Sequence, residues 1–381
     1  MGWLKALWSR RKYKTRTAND FPAPEEGYAP FSRDTMTAIS ELSRVAKNNP
    51  DAVEIYLALG NLYRSQGEIE RAVQIRRNLI VRPRLDEKFK AKAWYELGLD
   101  YKRGGFVDRA VNAFEQAGKL SGNFKGVSGE LAGLTARSGD NEKAAKYYSG
   151  IGHKIAEAHY LVKTAQERFA QDMPSSGWKW VKKALKAYPG SVEAWLESMI
   201  QDYREKAWKS LAGHFENGLK KVDPSLSFVL LEGLLAFAAK QDALKAAAFE
   251  IERPFQYRPD QALAEAILPV LEKQEPDLLL LFYAAWVSSG HDPALAKSQL
   301  EKTLVLNPGF WPARLELLAL SMEDQPLSPA FQTQLEFFIM RARELKRFVC
   351  RKCGLKRETM FFLCPRCQSW HSISYRTAIH E

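Results

Sequence analysis

All four cysteines of this 381-residue chain lie within eighteen residues of one another, and their spacing is Cys-x2-Cys-x10-Cys-x2-Cys: Cys350, Cys353, Cys364 and Cys367. Two cysteines separated by two residues can bend around one ion while backbone amides of the turn donate to sulfur. Two such turns supply a closed tetrahedral set of four thiolates about 2.3 Å from the metal. Gly354 follows the second ligand, where the turn favours positive φ, and Pro365 stiffens the other turn. Zn2+ and Fe both accept four thiolates, so the spacing predicts one ion, Zn or Fe, without choosing between them. The competing readings are two disulfides or four unligated thiols, and neither calls for paired turns in a chain with no other cysteine. A redox dithiol is disfavoured because no thioredoxin-like βαβ pattern surrounds either pair. Closed coordination leaves no position for a water, so the expected role of the ion is to fold a segment too small for its own core. The ten intervening residues suffice for a short hairpin, with Thr359 to Leu363 as one strand.

Other chemistry is not spelled out. His153, His159, His214, His291, His371 and His380 form no spaced ligand set, and His371 reads as a surface residue. No Gly-rich phosphate loop, nucleophile elbow or His-Glu-x2-His occurs, and the carboxylates read as solvated charge on helical faces. The chain is therefore expected to have no catalytic residues and not to be an enzyme.

The elements in front of the cysteines are repeats. Trp94, Leu97, Gly98, Tyr101, Gly105, Ala110, Phe114 and Ala117 occupy the marker positions of a tetratricopeptide repeat. Tyr56, Leu59, Gly60, Tyr63, Gly67 and Ala72 occupy the same positions before them, and Ala132, Gly139, Ala144 and Tyr148 after them. Each unit is two antiparallel helices. A small residue at the eighth position lets the second helix approach, and glycine at the fifteenth makes the turn. No unit buries its apolar face alone, so neighbours must stack. Degenerate frames follow at Leu161, Ala165, Ala184 and Pro189, at Trp195, Ala212, Leu219 and Pro224, and at Leu280, Tyr283, Ala284, Ala296, Leu300 and Pro308. Residues 225–275 show helices without register, and Trp311 to Arg343 reads as a last helical pair capping the array. The expected fold is all-α: a repeat solenoid over 35–343, then a small metal-binding domain over 344–381. Such an array binds protein segments in its groove. Asn61 fits one position of the set that grips a C-terminal carboxylate. Leu57, Glu96, Gly126 and Glu130 occupy others, so that clamp is not expected. Trp94, Tyr101 and Phe114 read as core.

The formal net charge of +11 is unevenly spread. Residues 1–17 carry +6, residues 343–381 carry +6, and the stretch between carries −1. That makes the repeats a neutral scaffold with two basic ends. No run of about 18 apolar residues exists, so no transmembrane helix is expected. Residues 1–16 instead place Trp3, Leu4, Leu7 and Trp8 on one helical face beside Lys5, Arg10, Arg11, Lys12, Lys14 and Arg16. That composition suits an anionic membrane surface, or else a basic tail whose tryptophans dock on the protein. Residues 17–34 read as a Pro-containing linker.

Two stretches together carry a resemblance. The first is Gly60 to Glu68 with Arg71, Ala72 and Val73, then Leu97 to Tyr101 with Asp108, Arg109 and Ala110. The second is the tail, with Phe348, Cys350, Cys353, Gly354, Cys364, Pro365, Cys367 and Trp370. Both resemble the lipopolysaccharide assembly protein B family, whose tail is a rubredoxin-type metal domain. The resemblance implies a cytoplasm-facing scaffold of the bacterial inner membrane. It would bring a membrane protease to the deacetylase that commits lipid A synthesis. Members normally begin with a transmembrane helix; a soluble or peripherally bound relative is the reading consistent with this sequence. The alternative is a nucleic-acid-binding repeat protein. In it, Arg351, Lys352, Lys356, Arg357 and Arg366, interleaved with Phe348, Phe361, Phe362 and Trp370, would touch phosphates.

Overall fold

The computed structural model describes residues 33–49, 51–121, 125–245, 259–322 and 327–378. The basic segment at 1–16 and nearly all of the linker expected at 17–34 lie outside them; Arg33 and Asp34 already belong to the first helix. The chain divides into two compact units, 1–160 and 161–381.

The first unit is built of helices α1 (Arg33–Asn48), α2 (Val53–Ser65), α3 (Ile69–Ile80), α4 (Glu87–Arg103), α5 (Val107–Ser121), α6 (Lys125–Ser138) and α7 (Asn141–Gly150). The three clear repeats are the pairs α2/α3, α4/α5 and α6/α7. Each turns on a glycine at positive φ, Gly67, Gly105 and Gly139. Here a side chain would meet left-handed strain. The eighth position does what the pattern requires. A Cβ on Gly98 would come within 2.7 Å of the Phe114 ring, which is fully buried. Ala72, Ala110, Ala132 and Ala144 are likewise fully buried. In the first repeat, however, the group lying on Gly60 is not a ring but the guanidinium of Arg76, with its Cζ only 2.6 Å from where a Cβ would sit.

Helix α8 (Lys154–Ala170) carries the boundary between the units. The second unit continues with α9 (Pro174–Ala187), α10 (Val192–Arg204), α11 (Trp208–Lys221), α12 (Ser227–Lys245), α13 (Gln261–Glu272), α14 (Leu278–Ser288), α15 (Pro293–Leu306), α16 (Trp311–Met322) and α17 (Pro329–Arg343). The prolines expected to close second helices do so. α9 stops at Ala187, just before Pro189; α11 stops at Lys221, before Pro224; α15 stops at Leu306, before Pro308. The stretch without register contains α12 and α13. The apolar run from Leu278 is α14, started by Asp277, whose carboxylate accepts from the amides of Leu279 and Leu280 at 3.0 Å each. It buries Phe282 to Val287 in the unit's core. The last pair, α16/α17, forms as expected, tied by Arg343 to Glu316.

The tail is a three-stranded antiparallel sheet in the order β2-β1-β3, with β1 (Phe348–Cys350), β2 (Lys356–Arg357) and β3 (Ile373–Tyr375). Thr359 to Leu363 is not a strand, contrary to the sequence expectation. The hairpin closes early, Phe348 opposite Arg357, because Cys353 and Gly354 turn the chain straight back. Leu363 makes only an isolated bridge with Trp370.

Candidate metal centre

The sheet positions the two cysteine turns, and the turns share one pattern. The amide of Cys350 donates to the carbonyl of Leu355, and the amide of Cys364 to that of Ser369, at 2.9 Å each. Four residues after each first cysteine the chain closes back on it: Gly354 N to Cys350 O and Gln368 N to Cys364 O, both 2.9 Å. Gly354 and Gln368 both adopt positive φ, 70° and 54°. The turn wants glycine there, and only the first turn has it. Amides of Lys352 and Cys353 point at the Cys350 sulfur, and those of Arg366 and Cys367 at the Cys364 sulfur. The amide of Leu355 serves Cys353 and that of Ser369 serves Cys367.

The four Sγ atoms lie within 4.8 Å of one another. Cys350–Cys367 and Cys353–Cys364 are each separated by 3.7 Å. A tetrahedron of sulfurs at about 2.3 Å from a central ion has edges of about 3.8 Å, so the donors stand where one ion would need them. A disulfide needs about 2.05 Å, and none is formed. The thiols differ in ionisation. At Cys350 burial opposes the thiolate, but the Ser372 hydroxyl and two amides outweigh it and bring the group down to about 6. At Cys364 burial dominates and pushes the thiol up to about 12. Four thiolates in one small volume repel each other, and a cation at their centre removes that conflict. The cluster is compatible with a single metal site.

The tail folds into the core of the second unit. Phe348 and Tyr375 lie edge to face, 5.8 Å apart between ring centroids, and meet Phe228, Phe282 and Phe310 in one aromatic cluster. Arg347, just before β1, makes a bidentate pair with Glu232 of α12 at 3.0 and 3.1 Å, fully inside the protein. Tyr283 donates to the same carboxylate at 2.7 Å. His371 is a correction to the surface reading. Its Nε2 lies 2.9 and 3.0 Å from the two carboxylate oxygens of Glu193 at the start of α10, with the His371 side chain 8% exposed. The carboxylates as a class are likewise not all solvated: Asp100, Glu193, Glu197, Asp202 and Glu232 are buried. Sequence reasoning missed Arg347, Glu232, Glu193 and Arg76. Only Arg76 left a trace, as an arginine at the repeat position where the next repeat has Phe114. Asn61, the one clamp-like residue, accepts from Arg76 at 2.5 Å and Arg64 at 3.2 Å, so its amide serves the repeat itself.

Fold and tail together define a tetratricopeptide-repeat protein ending in a four-cysteine cluster. The tetratricopeptide repeat family matches residues 31–76. Among curated proteins it is similar to lipopolysaccharide assembly protein B of Escherichia coli K12, 21% identical over 98% of this chain and 94% of that protein. The namesake from Haemophilus influenzae is 41% identical over 61 residues, 16% of this chain and 15% of its own. Among solved structures, a tetratricopeptide repeat protein from Parabacteroides merdae is 15% identical and covers 75% of this chain and 99% of its own, with a TM-score of 0.31. The chain is thus a repeat scaffold resembling lipopolysaccharide assembly protein B along nearly its whole length. No described helix is long and apolar enough to cross a membrane.

Proposed function

We propose that this protein is a non-enzymatic adaptor whose repeat array, residues 35–343, binds protein partners to control lipopolysaccharide synthesis through proteolysis of a lipid A biosynthetic enzyme. The carrying observation is collinearity: the similarity to lipopolysaccharide assembly protein B runs through repeats and cysteine tail alike. A shared repeat fold alone would not extend into the tail. The partners on this reading are a membrane protease and the lipid A enzyme it degrades. Cys350, Cys353, Cys364 and Cys367 hold one structural ion, Zn or Fe, that folds residues 344–381 against the repeats. The basic segment at 1–16 holds the protein at the cytoplasmic face of the inner membrane.

Pull-down from native membranes tests this, with Cys350→Ser as the comparison. The wild type should retain a lipid A enzyme or a membrane protease, and Cys350→Ser should retain less. Recovery of neither by the wild type, together with a salt-sensitive shift of RNA or DNA, would replace the adaptor by the nucleic-acid reading.

A further inference from the structure

The two cysteine turns are built on one pattern, and one of the equivalent pairs at which they differ changes what reaches sulfur. Five residues after the first cysteine the first turn has Leu355 and the second has Ser369. Leucine offers sulfur only its amide. Serine adds a hydroxyl, and Ser369 Oγ lies 3.0 Å from Cys367 Sγ and 3.7 Å from Cys350 Sγ. A second hydroxyl, Ser372, reaches back from the edge of β3 to within 3.2 Å of Cys350 Sγ. Ser372 is buried, and Ser369 donates to its oxygen at 2.7 Å. The hydroxyls thus gather on one edge of the tetrahedron, Cys350–Cys367. The opposite edge, Cys353–Cys364, has only amides.

We propose that Ser369 and Ser372 fit this four-thiolate centre to a divalent ion, holding it against loss and, where the ion is iron, against oxidation. The inference rests on the reading of the four cysteines as ligands of one ion. Its physics is a matter of charge. Four thiolates around a divalent ion leave two net negative charges, and around a trivalent ion only one. A hydrogen-bond donor to sulfur stabilises whichever complex is more negative, so each hydroxyl favours the divalent state. Proton supply decides the order of effects. Ser369 has one proton for three acceptors, Ser372 Oγ, Cys367 Sγ and the more distant Cys350 Sγ, while the proton of Ser372 is directed at Cys350 Sγ or, more weakly, the Ser369 carbonyl at 3.4 Å. Loss of Ser372 therefore strips Cys350 of its closer hydroxyl. Loss of Ser369 strips Cys367 of its hydroxyl, the ligand most open to solvent.

The test uses the full chain, with metal content of the wild type measured first. In competition against a zinc chelator, Ser372→Ala and Ser369→Ala should hold Zn2+ about 10- to 100-fold more weakly, the usual range for outer partners of metal ligands. Ser372→Thr, which keeps the hydroxyl, should recover most of the loss. Loaded with iron, both alanine variants should shift the reduction potential negative, by about 59 mV for each tenfold change in the ferric-to-ferrous balance. A purely structural serine would not move that couple in a fixed direction. Zinc affinity within twofold of wild type in both variants, or an iron couple that stays put or moves positive, overturns the proposal while leaving the metal reading intact. A wild type that binds neither ion overturns both.

Discussion

Each unit buries an arginine beside a carboxylate, and Arg76 and Arg347 are held differently. In the second unit both terminal nitrogens of Arg347 meet both oxygens of one carboxylate, Glu232, which also receives the Tyr283 hydroxyl. In the first unit Arg76 is fully buried, but its hydrogen bonds go to the Leu57 carbonyl at 2.8 Å, the Tyr56 carbonyl at 3.4 Å and Asn61. Its Nε faces Asp100 at 3.4 Å without a hydrogen bond, and Glu96 stands 3.8 Å away. Arg64 is the closer partner of both acids, at 2.9 and 2.8 Å. The electrostatic outcome differs accordingly. Burial lowers Arg76, and the shared acids do not make up for it. Burial lowers Arg347 too, but Glu232 outweighs it and the guanidinium is held above its ordinary value. A fork matched to one carboxylate offsets desolvation where a shared cluster of four charges does not. The matched pair also stands where it has most to hold, at the docking of the tail.

On the reading of the four cysteines as ligands of one ion, the largest effect expected in this contrast comes from removing that ion. Chelation, or Cys364→Ser, should release Phe348 and Tyr375 from the aromatic cluster and expose Arg347 and Glu232 to water. In small zinc-folded segments the ion supplies an apparent 10–16 kcal/mol at neutral pH, far more than a three-stranded sheet of this size can replace. Hydrogen exchange should then show amides of residues 347–376 losing protection, while α2 to α5 of the first unit keep theirs. Unchanged protection of the tail in metal-free protein would mean that the docking interface alone folds it.

Next in size is the matched pair itself. Glu232→Gln keeps the shape but takes the matched carboxylate away from a buried guanidinium, for which about 3–5 kcal/mol is expected. The apolar replacement Glu232→Leu with Arg347→Met should recover much of that, since it removes both charges together. Urea unfolding read through the aromatic signal of the second unit would measure both. A cost below about 1 kcal/mol for Glu232→Gln would show that water reaches the pair, and the contrast with Arg76 would collapse.

How much of this could be read in advance follows the range of each interaction. The repeats were legible because their determinants are local: Gly98 with Phe114, and the turn at Gly105, lie within one helical hairpin. The cysteine turns were legible for the same reason, four donors in eighteen residues. The strand expected at Thr359 to Leu363 does not form because Gly354 has already reversed the chain, and of those five residues only Leu363 pairs, in an isolated bridge with Trp370. Arg347 and Glu232 are 115 positions apart, and His371 and Glu193 are 178 apart. No periodicity links such partners, and a charged residue by itself reads as solvated. Arg76 lies between: its repeat position says buried and its chemistry says exposed. Only the neighbours from α4, Glu96 and Asp100, resolve that conflict.

The smallest effect, and the sharpest probe of the contrast, is Asp100→Asn. Burial raises the Asp100 carboxyl above its ordinary 3.8 even though Arg76 and Arg64 both act to lower it. The folded state therefore prefers the protonated form. That preference is fully present below the unfolded value of about 3.9 and is lost as pH rises through the raised folded value. Asparagine mimics the neutral form at every pH and still accepts from Arg64, while Glu96 remains to balance charge. The substitution should accordingly cost no more than about 1 kcal/mol at neutral pH, against several for Glu232→Gln. Any advantage of the wild type over the variant should be greatest below pH 4 and shrink as pH rises from there. Urea midpoints of wild type and variant from pH 4 to 7 would measure that trend. A wild-type advantage that instead grows with pH would mean that Arg64 and Arg76 pin Asp100 as a carboxylate, making the first unit's cluster as well matched as the second unit's fork.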